Sequence, residues 1–380
     1  MKQTVKYTGV GYAEKTAVSA GRLLSLDVLR GFDMLFIMGG GPLVLSVCAA
    51  LGAPNCAFAN QFRHVAWEGF RFEDLIFPLF LFIAGVSFPF SKEKRISQGA
   101  SRRSLCLHAV RRGVTLVFLG IVYNGFFSFD FARLRFFGVL QLIGFAWMMA
   151  ALQYIFFGLR TRAALAVFLL VGPWLLFNFI GTPDFPGANP FSPEGNIGCW
   201  IDRTVFESHI YQKLFDPEGT AGLLPSIVTP MLGMFAGDVL KNSWTGERKT
   251  ICLLAMAVSL SACGWLLSLS VPVVKALWSS SFVLVAGSYS VAMLAVFYWV
   301  VDVKGWKGWT FFFKVIGINS ITVYMAQRIV GFKSIDRFFF GGLASFFPSA
   351  WGEVVLSAGY IAVCWLFLLF LYRRNICLRV

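Results

Sequence analysis

The sequence predicts an all-α polytopic membrane protein of about ten transmembrane helices, with both termini in the cytoplasm. Three observations carry that prediction. Hydrophobic residues make up 57% of the 380 residues and charged residues only 14%, well under the charge a soluble domain of this length carries. Apolar runs of about 20 residues, the length that spans a bilayer, recur along the chain. Lys and Arg fall unevenly on the two sides of those runs.

The runs lie near residues 23–50, 72–90, 105–129, 136–157, 163–180, 223–240, 250–270, 280–301, 310–330 and 351–372. The first follows a basic stretch, as a signal sequence would. It is too long for a signal core and contains Asp27, Arg30 and Asp33, so it reads as the first membrane helix. With residues 1–22 placed inside, the cytoplasmic segments hold 19 Lys and Arg and the outer loops 9. This bias fits an even number of spans with both ends inside. The chain then divides into a cytoplasmic segment 1–22, a membrane domain 23–372 and a tail 373–380.

The outer connection 181–222 is rich in Gly and Pro and carries six carboxylates against Arg203 and Lys213. A connection this long is usually functional or disordered. Trp200, Phe206 and Tyr211 argue against pure disorder, so a partly folded cap over an outer cavity is expected.

The net charge of +14 is explained by cytoplasmic loops, and no nucleic-acid motif accompanies it. The eight cysteines show neither CxxC pairs nor Cys/His metal spacing, and no metal site is predicted. Cys56 and Cys199 fall in outer loops and are a candidate disulfide.

Charged and polar groups inside spans are costly and are functional candidates. Asp27, Arg30 and Asp33 are spaced to share one face of the first helix, either as an ion-pair ladder for packing or as a basic site for an anion. Arg111 and Arg112 lie near the cytoplasmic end of the third span. They read as snorkelling anchors or as a phosphate site. Asn319 and Gln141 sit deep in spans, where helix–helix hydrogen bonding competes with a ligand role. His64 stands in a polar stretch with Trp67, Glu68, Glu73 and Asp74, at the edge of an apolar run. An imidazole beside carboxylates at a low-dielectric boundary suits proton transfer.

Several blocks of the sequence occur in a fixed order. They are Arg22-Leu23-Leu24-Ser25-Leu26-Asp27-Val28-Leu29-Arg30-Gly31, His64-Val65-Ala66-Trp67-Glu68-Gly69, Asp74-Leu75-Ile76-Phe77-Pro78 and Gly138-Val139-Leu140-Gln141. Ile201-Asp202-Arg203, Asp216-Pro217-Glu218-Gly219, Leu277-Trp278-Ser279, Val301-Asp302-Val303-Lys304-Gly305 and Asn319-Ser320-Ile321-Thr322-Val323-Tyr324 follow. As an ordered set they resemble the heparan-α-glucosaminide N-acetyltransferase family of membrane acetyltransferases.

The resemblance implies a ten-helix acyltransferase fold and acetyl-CoA as donor. It implies a sugar acceptor on the opposite side of the membrane and an active-site histidine at His64. Animal members carry an asparagine before the glycine run of the first helix. Here Ile37-Met38 precede Gly39-Gly40-Gly41, and Asp33 is the nearby polar candidate. The compact chain looks like the bacterial branch, which places it in an inner membrane, and a homodimer is plausible on the same ground.

On this reading His64 is general base or acetyl carrier. Asp74 or Glu73 orients its ring, and Asp33 is a further catalytic candidate. Arg30, Arg111 and Arg112 receive the CoA phosphates, with Asn319 and Gln141 as further donor-site candidates. Trp67, Glu68, Asp216 and Glu218 face the sugar. An amino-sugar transporter without acyl transfer is the competing reading; no inverted repeat supports it in the sequence.

Overall fold

The computed structural model describes residues 23–377. Among them every regular element is helical, with one isolated bridge between Glu68 and Val274. Eight helices long and apolar enough to cross a membrane come first: α1 (Leu24–Ala50), α2 (Phe72–Ser97), α3 (Arg102–Tyr123), α4 (Val139–Phe156), α5 (Leu159–Phe179), α6 (Thr220–Lys241), α7 (Gly246–Ser268) and α8 (Ser280–Val303). Three shorter helices follow, α9 (Thr310–Ile318), α10 (Ser320–Ile329) and α11 (Phe332–Ala344). The ninth long apolar helix, α12 (Ser349–Arg373), closes the bundle.

The tenth predicted span, 310–330, is therefore a broken helix. Asn319 takes φ −118° and ψ 33° between α9 and α10, outside helical geometry. Helix α11 lies in a stretch that the sequence reads as an outer loop. Its apolar residues fall on one side, the pattern of a helix lying in an interface. The termini assigned to the cytoplasm, residues 1–22 and 378–380, fall outside the described residues.

The centre of the bundle is the α2–α6 pair, whose apolar windows are 72% buried, against 22–28% for α3, α5 and α7. The outer helices thus face lipid and the inner pair faces protein. Small residues let the inner backbones touch. A Cβ at Gly85 would overlap the carbonyl oxygen of Pro230, and one at Gly233 would overlap that of Phe82. The α1–α9 crossing works in the same way, with Gly31 against Phe313 and Gly317 against the Asp27 carbonyl. Helix α1 bends in mid-course at Gly39, where φ is +121°, a conformation glycine adopts without steric cost.

The connection 181–219 is folded, as expected of a cap. Phe191, Ile197, Cys199 and Phe215 form a hydrophobic cluster with Phe177 of α5 and with Val271, Val274 and Leu277 before α8. Asp202 is fully buried beneath it and accepts hydrogen bonds from the backbone N–H groups of Asp216 and Thr220 and from the Thr220 hydroxyl. Burial pushes the Asp202 carboxyl up to about 6, against the opposing pull of those donors.

Candidate active site

His64 sits in the turn between α1 and α2. The extended backbone at Arg71 starts α2, and Asp74 in its first turn accepts the Arg71 backbone N–H through Oδ2 at 3.3 Å. That capping contact fixes Asp74, which is 1% exposed. Its other oxygen, Oδ1, lies 2.8 Å from His64 Nδ1. A carboxylate can only accept, so Nδ1 carries a hydrogen, and in the neutral ring that tautomer places the lone pair on Nε2. The His64 side chain is 60% exposed, which leaves Nε2 open to a second molecule.

Lys275 completes this group. The Glu68–Val274 bridge and the Gly69 N–H bond to the Val273 carbonyl, at 2.8 Å, zip the His64 turn onto the segment before α8. Lys275 Nζ is thereby held 3.4 Å from both Asp74 Oδ1 and His64 Nδ1. Burial lowers the Lys275 ammonium from its ordinary range, with Asp74 and Glu218 pulling the other way. Glu218 is raised, by burial first, despite the neighbouring Arg135 guanidinium.

His64, Glu73, Glu218 and Lys275 line a cavity of about 410 Å3, with Phe80, Ile143, Ile321 and Tyr324 at its depth. A second cavity of about 400 Å3 holds Arg30, Arg95, His108 and Arg112 together with Ser87 and Ser91. Phe80, Ile143 and Ile321 line both. Along α2, Glu73, Ile76 and Phe80 line the first cavity, and Phe80, Ala84, Ser87, Ser91 and Arg95 the second. Steps of three and four residues keep these side chains on one face of the helix. From Glu73 to Arg95 that face runs about 33 Å at 1.5 Å per residue, the thickness of a hydrocarbon core. The two chambers therefore meet at Phe80 and lie toward opposite ends of α2.

In the second chamber the Arg112 guanidinium stacks on Trp147, 4.2 Å from the ring centroid. Arg30 donates to Ser87 Oγ at 3.0 Å and lies 3.7 Å from Asp27. Arg95 reaches His108 Nε2 at 3.0 Å. Three guanidiniums on the wall of one chamber suit a polyanion.

The remaining sequence candidates fall elsewhere. Asp33 is fully buried, neither of its carboxylate oxygens is hydrogen-bonded among the described residues, and it is in electrostatic reach of Arg30 and Glu73. Arg111 is exposed on α3, pointing away from the chamber that Arg112 lines. Asn319 gives its amide to the Ile376 carbonyl at 3.1 Å. Gln141 gives its own to Phe136 and packs against Gly120. Neither lines either chamber, and the Oδ1 of Asn319 has no hydrogen-bond partner among the described residues. Trp67 donates to the Phe191 carbonyl at 2.8 Å and stands edge-on to Phe215, so it anchors the cap. Glu68 is exposed at the bridge.

Asp216 is held behind Glu218 by Arg135, which bonds both carboxylates. Burial disfavours the Arg135 charge, but those two carboxylates outweigh it and raise its pKa. Cys56 and Cys199 are both free. The Cys56 thiol caps Ala57–Asn60 beside Cys48, whereas Cys199 is buried in the cap.

Sequence reasoning missed Lys275, Arg95 and Arg135, having counted them only as loop charges. A lone lysine among Val271, Val273, Val274, Ala276 and Leu277 was the available signal. His108 also lines the basic chamber.

Comparison with known proteins points to one family. The family model described as heparan-alpha-glucosaminide N-acetyltransferase, catalytic, matches residues 22–268. The heparan-alpha-glucosaminide N-acetyltransferase of Mus musculus is 28% identical over 392 residues, covering 88% of this chain and 55% of the relative. That of Homo sapiens is 30% identical over 370 residues, covering 81% and 53%. The chain thus spans about half the length of these relatives. The matched region begins at the helix that supplies Arg30 and runs past the His64 turn and the cap to the end of α7, and on that ground the chain belongs to the heparan-alpha-glucosaminide N-acetyltransferase family.

Proposed function

We propose that this protein is a transmembrane acetyltransferase that moves an acetyl group from acetyl-CoA, bound from the cytoplasm, to the amine of a hexosamine at the outer face of a bacterial inner membrane. The observation that carries the reading is the pair of back-to-back chambers, basic at one end of α2 and holding His64 at the other. The charge bias of the loops supports placing the basic chamber on the cytoplasmic side.

Arg30, Arg95 and Arg112 hold the CoA phosphates, with His108 beside them. The pantetheine arm threads the narrow junction at Phe80, Ile143 and Ile321 and delivers the thioester beside His64. An amine attacks a thioester only once it has a free lone pair. His64 Nε2 takes the proton as the carbon–nitrogen bond forms, and the carbon–sulfur bond then breaks to release CoA thiolate. Asp74 holds the ring in the tautomer that keeps Nε2 basic, and stabilises the imidazolium that follows. Lys275 shares the Asp74 carboxylate and places positive charge where the oxyanion develops.

The test is acetyl transfer from radiolabelled acetyl-CoA to glucosamine by the purified protein, with His64→Ala in parallel. The reading expects transfer by the wild type that is lost in the variant while CoA binding is retained. Glucosamine uptake into proteoliposomes without CoA, and no transfer to any sugar, would replace it with a transporter. A burst of labelled protein before product appears would move His64 from general base to acetyl carrier.

A further inference from the structure

Helices α11 and α12 enclose a third cavity, of about 420 Å3, together with the kinked middle of α1 and the end of α10. Its wall carries Gln327, Lys333, Asp336, Arg337, Glu353 and Tyr360. Asp336 decides what it can bind. It is 5% exposed, and its Oδ1 has no hydrogen-bond partner among the described residues. A buried carboxylate oxygen left unmatched is costly, and a carboxylate accepts only, so the missing partner is a donor. The neighbouring backbone leaves room for that oxygen: a Cβ at Gly359 would overlap it. Gln327 Nε2 donates to the Tyr360 hydroxyl oxygen at 3.0 Å, which fixes a polar wall beside the acid. Lys333, Arg337 and Glu353 are exposed at the rim.

We propose that this cavity is a second binding site, for a hydroxylated ammonium compound of amino-sugar size, with Asp336 as the buried anchor of the ammonium group. Gln327 and Tyr360 face the hydroxyls, and at the mouth Glu353 stands with Lys333 and Arg337. Ile37, Gly39 and Pro42 line both this cavity and the His64 chamber. A ligand held here is therefore one helix wall from the reacting centre. Its role in loading the acceptor rests on the His64 chamber being the transfer site; its binding does not.

The experiment measures glucosamine binding to the full-length protein in nanodiscs by saturation-transfer NMR, for the wild type, His64→Ala, Asp336→Asn and Glu353→Gln. N-acetylglucosamine serves as the probe without an ammonium group, and thermal unfolding checks that each variant is folded. Expected are glucosamine binding by the wild type and His64→Ala, an affinity at least tenfold weaker in Asp336→Asn, and a few-fold loss in Glu353→Gln. In the transfer assay Asp336→Asn raises the acceptor KM about tenfold and leaves kcat and the acetyl-CoA KM unchanged. Equal glucosamine binding by the wild type and a folded Asp336→Asn overturns the site. So does equal binding of N-acetylglucosamine, or retention of a zwitterionic phospholipid in place of the sugar. Asp336-dependent glucosamine binding in a protein that transfers no acetyl group would keep the site and remove the transferase reading.

Discussion

Replacing Asp74 by Asn tests the proposed chemistry at its most specific point. The carboxylate has two oxygens with separate duties. Oδ1 orients His64 Nδ1 at 2.8 Å and meets Lys275 at 3.4 Å. Oδ2 accepts the backbone N–H groups of Val65 and Arg71 at 3.4 and 3.3 Å. Asparagine offers one oxygen and one NH2, so it can serve the imidazole or the backbone but not both. If its oxygen stays with the helix start, its NH2 faces Nδ1 and selects the tautomer whose Nε2 is already protonated. If it turns to the imidazole, two backbone donors lose their partner. In both arrangements the negative charge that stabilises the imidazolium is gone. Loss of general-base catalysis is worth about 10²–10⁴-fold, so kcat should fall at least about a hundredfold, roughly 2.7 kcal/mol of barrier. Acetyl-CoA affinity should be unchanged, because the basic chamber lies at the other end of α2. The assay is steady-state acetyl transfer to glucosamine, with Asp74→Asn, His64→Ala and the double variant compared. The double variant should be no slower than His64→Ala, since Asp74 acts through the ring. An Asp74→Asn enzyme as fast as the wild type, or a double variant with fully multiplied losses, would refute the orienting role.

Three further outcomes follow from other contacts. Lys275→Met should lower kcat about ten- to a hundredfold and Lys275→Arg far less, because the role assigned to it is a fixed positive charge; equal losses would show that a neutral amine is required. Gly85→Leu should lower the thermal midpoint in detergent by an amount corresponding to about 1–3 kcal/mol or more, because any side chain there meets the Pro230 carbonyl; Gly172→Ala, in open space on α5, should be neutral, and equal midpoints would refute the close α2–α6 crossing. The Asp202 carboxyl stands at about 6 in the fold, above its unfolded range, so its contribution to stability is present below about pH 4 and lost as pH rises through about 6. Against Asp202→Asn, the wild type should lose about 2–3 kcal/mol between pH 4 and pH 7; parallel unfolding curves across that range would refute it.

The parts of the fold that repeat a simple pattern were legible in the sequence. Among the described residues, nine apolar runs became nine membrane-length helices, because burying backbone in lipid leaves few alternatives. The tenth is broken at Asn319, whose amide donates to the Ile376 carbonyl, a tertiary contact with no local signature. Helix α11 was missed for a related reason. It is amphipathic and only 13 residues long, so hydropathy averaged over a membrane-length window passes over it.

The site divides along the same line. His64 and Asp74 are ten positions apart and share one turn, so local spacing exposed them. Arg30 and Arg112 were visible as charges inside apolar runs. Lys275 lies 201 residues beyond Asp74 and joins it only because the His64 turn pairs with the strand-like segment at Val273 and Val274. Glu218 and Asp216 looked equivalent as loop carboxylates, yet Arg135 fixes one behind the other and only Glu218 lines the chamber. Gln141 and Asn319 show the converse, since a buried amide is equally satisfied by a neighbouring helix or by a ligand, and composition cannot distinguish them. What separates a functional polar group from a structural one here is whether protein already supplies its partner. By that criterion the Nε2 of His64 and the buried Oδ1 of Asp336 stand, with both oxygens of Asp33, among the positions where the fold presents an acceptor that no donor of the described residues meets.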